Sequence, residues 1–294
     1  MFDGVHLGHR AVIETAIQSA RRNGGMAAIL TFRPHPSRVF RPESPARLIH
    51  DAATQAGLLA DLGVDAVIFE PFTPEFARIE ATAFLPWLRE RLPGLAAVYV
   101  GGNWRFGAGR GGDVSSLVES ARRTGLSVFS IPPVEIDGKP VNSTRIRALL
   151  ESGDVAQAGA LLGYSYFARG PVIAGKKLGR KLGFPTLNLA WSPELTPRFG
   201  VYLVRVAGRG LSLPGVANYG VRPTVETAAV PQVETHVLGA CPLDEGDVIA
   251  VEWLESLRQE MKFSGVEALR SQIEADVKEA KDFFARRGQP RISS

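Results

Sequence analysis

The chain has 294 residues, room for two domains at about 150 residues each. With 45% hydrophobic and 22% charged residues it has the composition of a soluble globular protein, which excludes global disorder. No run of about 18 apolar residues offers a membrane span, and 34 Lys and Arg against 30 Asp and Glu leave a net charge of +4, compatible with phosphate-bearing ligands but too small to argue for a nucleic-acid groove.

The opening residues, MFDGVHLGHR, lack the apolar stretch of a signal peptide. A helix is predicted from Arg10 to Asn23, with Ile13, Ala16, Ile17 and Ala20 on one face and Gly24-Gly25 as its stop. AAILTF at 27–32 reads as a strand, 51–62 as a helix and VDAVIF at 64–69 as a strand. Thr73-Pro74 opens one or two helices that run to Leu92. AAVYV at 96–100, a helix over Asp113–Thr124, LSVFSI at 126–131 and a helix from Ser143 to Leu150 complete the alternation. Short apolar strands alternating with helices imply a parallel sheet covered on both faces, with ligands at the carboxyl ends of its strands.

DVAQAGALLG, ending at Gly163, is a short connecting helix. From 165 to 254 the chain is strand-like and rich in turns: PVIAG, GVYLVRV, GVANYG, QVETHVL and DVIAVEWL succeed one another with no helix between. That pattern favours an antiparallel barrel or sandwich. A last amphipathic helix spans 265–287, with Val266, Leu269, Ile273, Val277, Ala280 and Phe284 on one stripe. The boundary falls near 152–165, dividing 1–158 from 159–294. Cys241 is the single cysteine, so no intrachain disulfide forms, and a reducing compartment, the cytoplasm, is expected.

Three segments carry chemistry. In His6-Leu7-Gly8-His9, two imidazoles can face the mouth of a helix N-terminus, where free amides and the helix dipole favour phosphate, and Gly8 lets the backbone come close. The same residues read equally as two surface histidines near a cap. Asn142-Ser143-Thr144-Arg145-Ile146-Arg147 offers hydroxyls at a helix start and an Arg on the next turn, suited to a polyphosphate, or an ordinary N-cap. In Gly175–Asn188, glycines at 175, 179 and 183 stand among four cations, a loop able to cradle phosphate or a basic surface hairpin. Thr186 and Asn188 alternate on an extended segment, so both can point one way as hard oxygen ligands for Mg²⁺.

FDGVHLGHR, TFRPHP at 31–36, VGGNWRFGAGRGGD at 100–113 and NSTRIR at 142–147 together resemble the adenylyltransferase module of bacterial bifunctional riboflavin kinase/FAD synthetases, part of the HxGH nucleotidyltransferase superfamily with its Rossmann-like fold. The resemblance implies that His6 and His9 are catalytic and that Gly8, Ser143, Thr144 and Arg147 handle ATP. It places His35 and Asn103 at the flavin, with the Gly107–Gly112 loop nearby. GRKLGFPTLNL, Gly200-Val201-Tyr202, NYGVRPT and Glu234-Thr235-His236 resemble the riboflavin kinase module of the same enzymes, an antiparallel β-barrel with a terminal helix. There Glu234 would be the general base for the riboflavin 5′-hydroxyl. Gly175, Lys176, Gly179, Arg180, Thr186 and Asn188 would bind ATP, the last two holding Mg²⁺, and Arg258 in LRxExKF would lie near the flavin.

Several positions depart from the family pattern. Asn142 replaces a second Ser, Gln55 replaces a Lys, and Gly239-Ala240-Cys241-Pro242 replaces a segment with a Tyr. The family also carries a strand and a Gly-Asn step before Phe2, so the extreme N-terminal strand is expected to be lacking. The reading implied is conversion of riboflavin to FMN and of FMN to FAD with release of pyrophosphate. Its substrates are riboflavin, FMN and ATP, Mg²⁺ is needed in both steps, and neither nucleic acid nor membrane is a partner. Two alternatives stand beside it: a kinase whose adenylyltransferase module is impaired, and a basic nucleic-acid-binding protein. For the second, no aromatic-plus-basic stripe is found.

Overall fold

The computed structural model describes residues 1–175, 178–221 and 231–287. The chain divides into two compact units, Met1–Arg145 and Ile146–Ser294.

In the first unit, α1 (Leu7–Arg22) begins three residues before the predicted Arg10, because His6 caps it: the His6 backbone is extended and its side chain accepts the His9 N–H. Next come β1 (Ala28–Arg33), α2 (Pro36–Phe40), α3 (Ala52–Ala60), β2 (Ala66–Pro71), α4 (Ala81–Arg91) and β3 (Ala97–Gly101). Then follow α5 (Val114–Thr124), β4 (Ser127–Ile131), the short strands β5 (Glu135–Ile136) and β6 (Lys139–Pro140), and α6 (Ser143–Ser152), within which the division of the chain falls. The Thr73–Leu92 region resolves into a 3₁₀ turn at Phe76–Arg78, entered through a bond from the Phe76 N–H to the Thr73 hydroxyl, and α4. A capping box opens α5: Asp113 accepts the Ser116 N–H while Ser116 Oγ accepts the Asp113 N–H.

Strands β1 to β4 are parallel, as alternation predicted, but they form two pairs rather than one sheet, and β5 and β6 make a separate antiparallel pair. Ala28 is opposite Ala66 in β1–β2, and Ala97 is opposite Ser127 in β3–β4. No described strand pairs with the second edge of β1 or of β3. One core nevertheless serves both pairs: Leu30 of β1 and Val98 and Val100 of β3 pack with Phe84, Leu85 and Leu88 of α4 and with Leu117 and Ala121 of α5. A second cluster joins Val5, Ile13, Ile29 and Leu59.

In the second unit, α7 (Val155–Leu162) runs between an Asp154 cap and a left-handed Gly163. It is followed by β7 (Phe167–Ile173), the single turn α8 (Leu178–Lys181), β8 (Leu187–Ala190), β9 (Gly200–Gly208), β10 (Leu211–Val221), β11 (Pro231–Val237), β12 (Val248–Gln259) and α9 (Val266–Arg287). The six strands close into an antiparallel barrel in the order β10-β11-β8-β7-β12-β9. Alternation sends Tyr202, Val204, Val206, Ala217, Tyr219, Val233 and Trp253 to the buried core. On the opposite face, Val201, Leu203 and Val216 pack against Ala280 and Phe283 of α9. The predicted α9 stripe is corrected at its start, where Val266 is 57% exposed, and extended at its end, where Phe283 is buried beside the partly buried Phe284. Val277, Ala280 and Phe283 follow an i, i+3, i+6 row, and Phe284, four residues after Ala280, packs against the same cluster.

Candidate functional site

In the first unit the His-x-Gly-His segment is built by the start of α1. His6 Nδ1 accepts the His9 N–H at 3.3 Å, and the two rings stack with centroids 3.6 Å apart. Phe2 meets the His9 ring edge-on at 5.2 Å. His9 Nδ1 is buried with no hydrogen-bond partner among the described residues. Burial and the neighbouring His6 hold the His9 imidazole well below its ordinary range, so it is neutral at pH 7. A Cβ on Gly8 would stand 3.2 Å from the His6 ring and 3.4 Å from the Val141 carbonyl, so glycine permits this close approach.

Ser143 reaches the same place: its hydroxyl donates to the Asp3 carbonyl at 3.0 Å, while Asp3 Oδ1 accepts the Ile49 N–H at 2.9 Å. His6, Gly8, His9 and Ser143 are thus brought together. Thr144 is exposed, and Asn142 Oδ1 takes the capping role by accepting the Arg145 N–H at 2.9 Å. Arg147 lies four residues beyond Ser143 on α6, in the second unit. His35 caps α2 and is tied to Ser37, its Nδ1 lying 2.8 Å from Ser37 Oγ. Asn103 is exposed just after β3. The neighbouring glycine loop has a packing reason of its own. A Cβ on Gly107 (φ +73) would meet the Ala81 backbone N at 2.6 Å, and one on Gly112 would meet the Phe106 ring at 2.7 Å.

In the second unit a cavity of about 700 Å³ lies between the outer faces of β8, β11 and β10, the 260–263 segment and α9. Register places Glu234 on β11 directly opposite Asn188 of β8 and Asn218 of β10, so the three side chains share one face. Thr186 lines the same wall, and Asn188 Nδ2 donates to the Thr186 carbonyl at 3.3 Å. His236 pins this segment: its Nδ1 lies 2.9 Å from the Pro185 carbonyl, and its ring meets Phe184 edge-on at 5.4 Å. A Cβ on Gly175 would run into the Asn188 amide, and one on Gly179 into the Phe184 carbonyl. Gly179, Thr186, Asn188 and Glu234 are therefore assembled around one cavity, with Gly175 against the Asn188 amide. Arg180 is exposed on α8, and Lys176, like residues 222–224 of the NxGxRPT motif, lies outside the described residues.

Arg258 lines the cavity and is bound to Asp276 of α9. Asn218, His236, Glu260 and Asp276 also line it, without having been singled out as site residues. For Asn218 and His236 the signal was present, since both stand in motifs that carry the resemblance. For Asp276, the stripe pattern of α9 pointed to apolar packing only. Among the described residues no three His, Cys, Asp or Glu side chains gather as metal ligands. The oxygens of Thr186 and Asn188, beside the Glu234 carboxylate, would fit a divalent cation that completes its shell with phosphates and water.

Comparison with known proteins sorts these two sites. The FAD synthetase family model matches residues 1–145, and the riboflavin kinase family model matches residues 162–284. The chain is 36% identical over 289 residues to the bifunctional riboflavin kinase/FMN adenylyltransferase of Pseudomonas fluorescens, covering 97% of this chain and 91% of that one. It is 35% identical over 285 residues to the Escherichia coli K12 protein of the same name, covering 96% and 90%. A crystal structure described as a macrolide-efflux protein from Streptococcus pneumoniae superposes with a TM-score of 0.85 at 27% identity, over 96% of this chain and 91% of that one. Among the described residues no helix is long and apolar enough to cross a membrane. With near-complete coverage by such relatives, and with a histidine-lined helix start and a carboxylate-bearing barrel cavity in the matching halves, the chain belongs to the family of bifunctional riboflavin kinase/FMN adenylyltransferases.

Proposed function

We propose that this chain converts riboflavin to FAD in two ATP-consuming steps, phosphorylation in the barrel unit and adenylylation in the N-terminal unit. One observation carries the kinase half: Glu234 stands between Asn188 and Asn218 on the wall of a cavity large enough for a flavin. Its carboxylate accepts the proton of the riboflavin 5′-hydroxyl as that oxygen attacks the γ-phosphate. Asn188 and Thr186, with Gly175, Lys176, Gly179 and Arg180, hold the nucleotide, and Arg258 holds the flavin. Mg²⁺, bound through Thr186 and Asn188, supplies neutralisation of the phosphate charge when present.

For the second step, the α1 N-terminus and the imidazoles of His6 and His9 donate to the α-phosphate of ATP, where charge builds as the FMN phosphate displaces pyrophosphate. Ser143, Thr144 and Arg147 bind the departing phosphates, and His35 and Asn103 contact the flavin. Residues 1–158 and 159–294 make up the two functional domains. The soluble flavin substrates and a single cysteine fit a cytoplasmic enzyme.

The test is to supply the purified chain with ATP and Mg²⁺ and either riboflavin or FMN. FMN and FAD form from riboflavin, and FAD with pyrophosphate forms from FMN; no FAD from FMN would leave only the kinase. Glu234→Gln is expected to lower riboflavin phosphorylation by about 10³-fold while FMN adenylylation stays within about twofold. Near-normal phosphorylation by that variant would remove Glu234 as the base.

A further inference from the structure

Arg258 does not enter the cavity as a free cation. Its Nε donates to Asp276 Oδ1 at 2.9 Å and Oδ2 at 3.1 Å, and its Nη2 donates to Oδ2 at 2.8 Å. Nη1 donates to the Gln259 carbonyl at 3.1 Å. The pair is largely buried, the side chains being 18% and 6% exposed. Gln272, one turn earlier on α9, donates its Nε2 to Asp276 Oδ1 at 2.9 Å. Asp276 is thus itself fixed from its own helix. It cancels the charge of Arg258 and fixes the orientation of its planar fork.

The consequence is chemical. A lone, partly buried guanidinium would draw phosphate, for which its charge and geometry are suited. A guanidinium neutralised by a bidentate carboxylate keeps its remaining N–H groups as oriented donors without net charge, which suits the carbonyl oxygens of a neutral ring. Leu269, Ile273 and Val277 of α9 line the cavity beside it, a wall for a flat apolar body. The phosphate-handling residues Thr186 and Asn188 belong to a different wall, on and just before β8. We propose that Asp276 is a positioning residue that locks and neutralises Arg258, so that the α9 side of the cavity takes the uncharged tricyclic ring and rejects polyphosphate. This rests on the riboflavin kinase reading above.

The experiment measures steady-state kinase kinetics and riboflavin binding, by flavin fluorescence, on the full chain. In Asp276→Asn the KM and Kd for riboflavin rise about tenfold or more, while KM for ATP and kcat stay within about threefold. A purely structural role would move all of these together with the melting temperature. In an Arg258→Met background the same change adds nothing further, because Asp276 acts through Arg258. If Asp276→Asn does not fold, Gln272→Ala serves: loss of one hydrogen bond to Asp276 raises KM for riboflavin about threefold, again without affecting ATP. Unchanged riboflavin affinity in these variants, an equal rise for ATP, or a full effect of Asp276→Asn in the Arg258→Met background overturns the positioning role. Failure of the wild-type chain to phosphorylate riboflavin overturns the kinase reading instead, so the two failures are distinguishable.

Discussion

At the scale of single residues, burial decides which charges the molecule tolerates. Two histidines of the first unit are held neutral, His9 at the candidate site and His50 in the loop before α3. Desolvation lowers His50 to about 4, against a small opposing pull from Asp51. In the unfolded chain the same imidazole takes a proton near pH 6.5. The folded state therefore binds fewer protons between those values, and the stability this group contributes is present above about pH 6.5 and lost as pH falls toward 4. The loss is on the order of 3 kcal/mol at pH 4. Urea unfolding followed from pH 7 to pH 4 should show a falling midpoint, with a distinctly shallower fall in His50→Gln. A residual slope is expected in that variant, because His9 titrates in the same direction. An unchanged slope would show that His50 is not kept neutral by burial. Thr186 and Asn188 could be paired from their spacing, since side-chain alternation along a strand is local, whereas Glu234 could be singled out only through the resemblance its motif carries. Asp276 could not, because its meaning comes from Arg258, 18 positions earlier in the chain and on another element.

At the scale of elements, local signals worked where the physics is local. Helices over Asp113–Thr124 and up to Gly163 were expected, and the structure makes Asp113 the cap of α5 and Gly163 the left-handed stop of α7. The β5–β6 hairpin was missed although Asp137-Gly138, both with positive φ, is a strong two-residue turn signal. Two-residue strands leave too little alternation to notice. The barrel order was not legible, since it pairs β10 with β11, β11 with β8 and β12 with β9 across long separations. Nor was the splitting of the parallel strands into two pairs, which depends on which edges meet rather than on any one strand's composition. The closeness of β7's exit to β8 makes a testable point. Gly175→Ala places a methyl group where the Asn188 amide stands. That amide can swing aside, so the melting temperature should change little, whereas riboflavin phosphorylation should fall about tenfold or more as Asn188 leaves its place beside Glu234. FMN adenylylation, measured in the same preparation, should stay the same. Equal loss of both activities would point to a folding defect.

At the scale of the whole molecule, the two family matches fall on different stretches of the chain, 1–145 and 162–284. His6, Gly8, His9 and Ser143 come from Met1–Arg145, whereas Arg147, proposed for the same site, lies on α6 just past the division, and the residues around Glu234 come from Ile146–Ser294. The simplest expectation is that FMN made in the barrel leaves it and enters the adenylyltransferase site from solution. Two variants turn this into a measurement. Glu234→Gln keeps the adenylyltransferase site, and His9→Ala, which removes a donor to the reacting phosphate, keeps the kinase. Given riboflavin, ATP and Mg²⁺, the first should make neither flavin nucleotide, and the second should accumulate FMN. Mixed in equal amounts, they should form FAD after a lag that shortens as the protein concentration rises, because FMN must first build up in solution. Excess unlabelled FMN added to a wild-type reaction on labelled riboflavin should dilute the label in FAD in proportion. If the mixture makes no FAD, or if wild-type FAD keeps its full label against excess FMN, the intermediate passes directly between the sites of one chain, and release into solution no longer describes the enzyme.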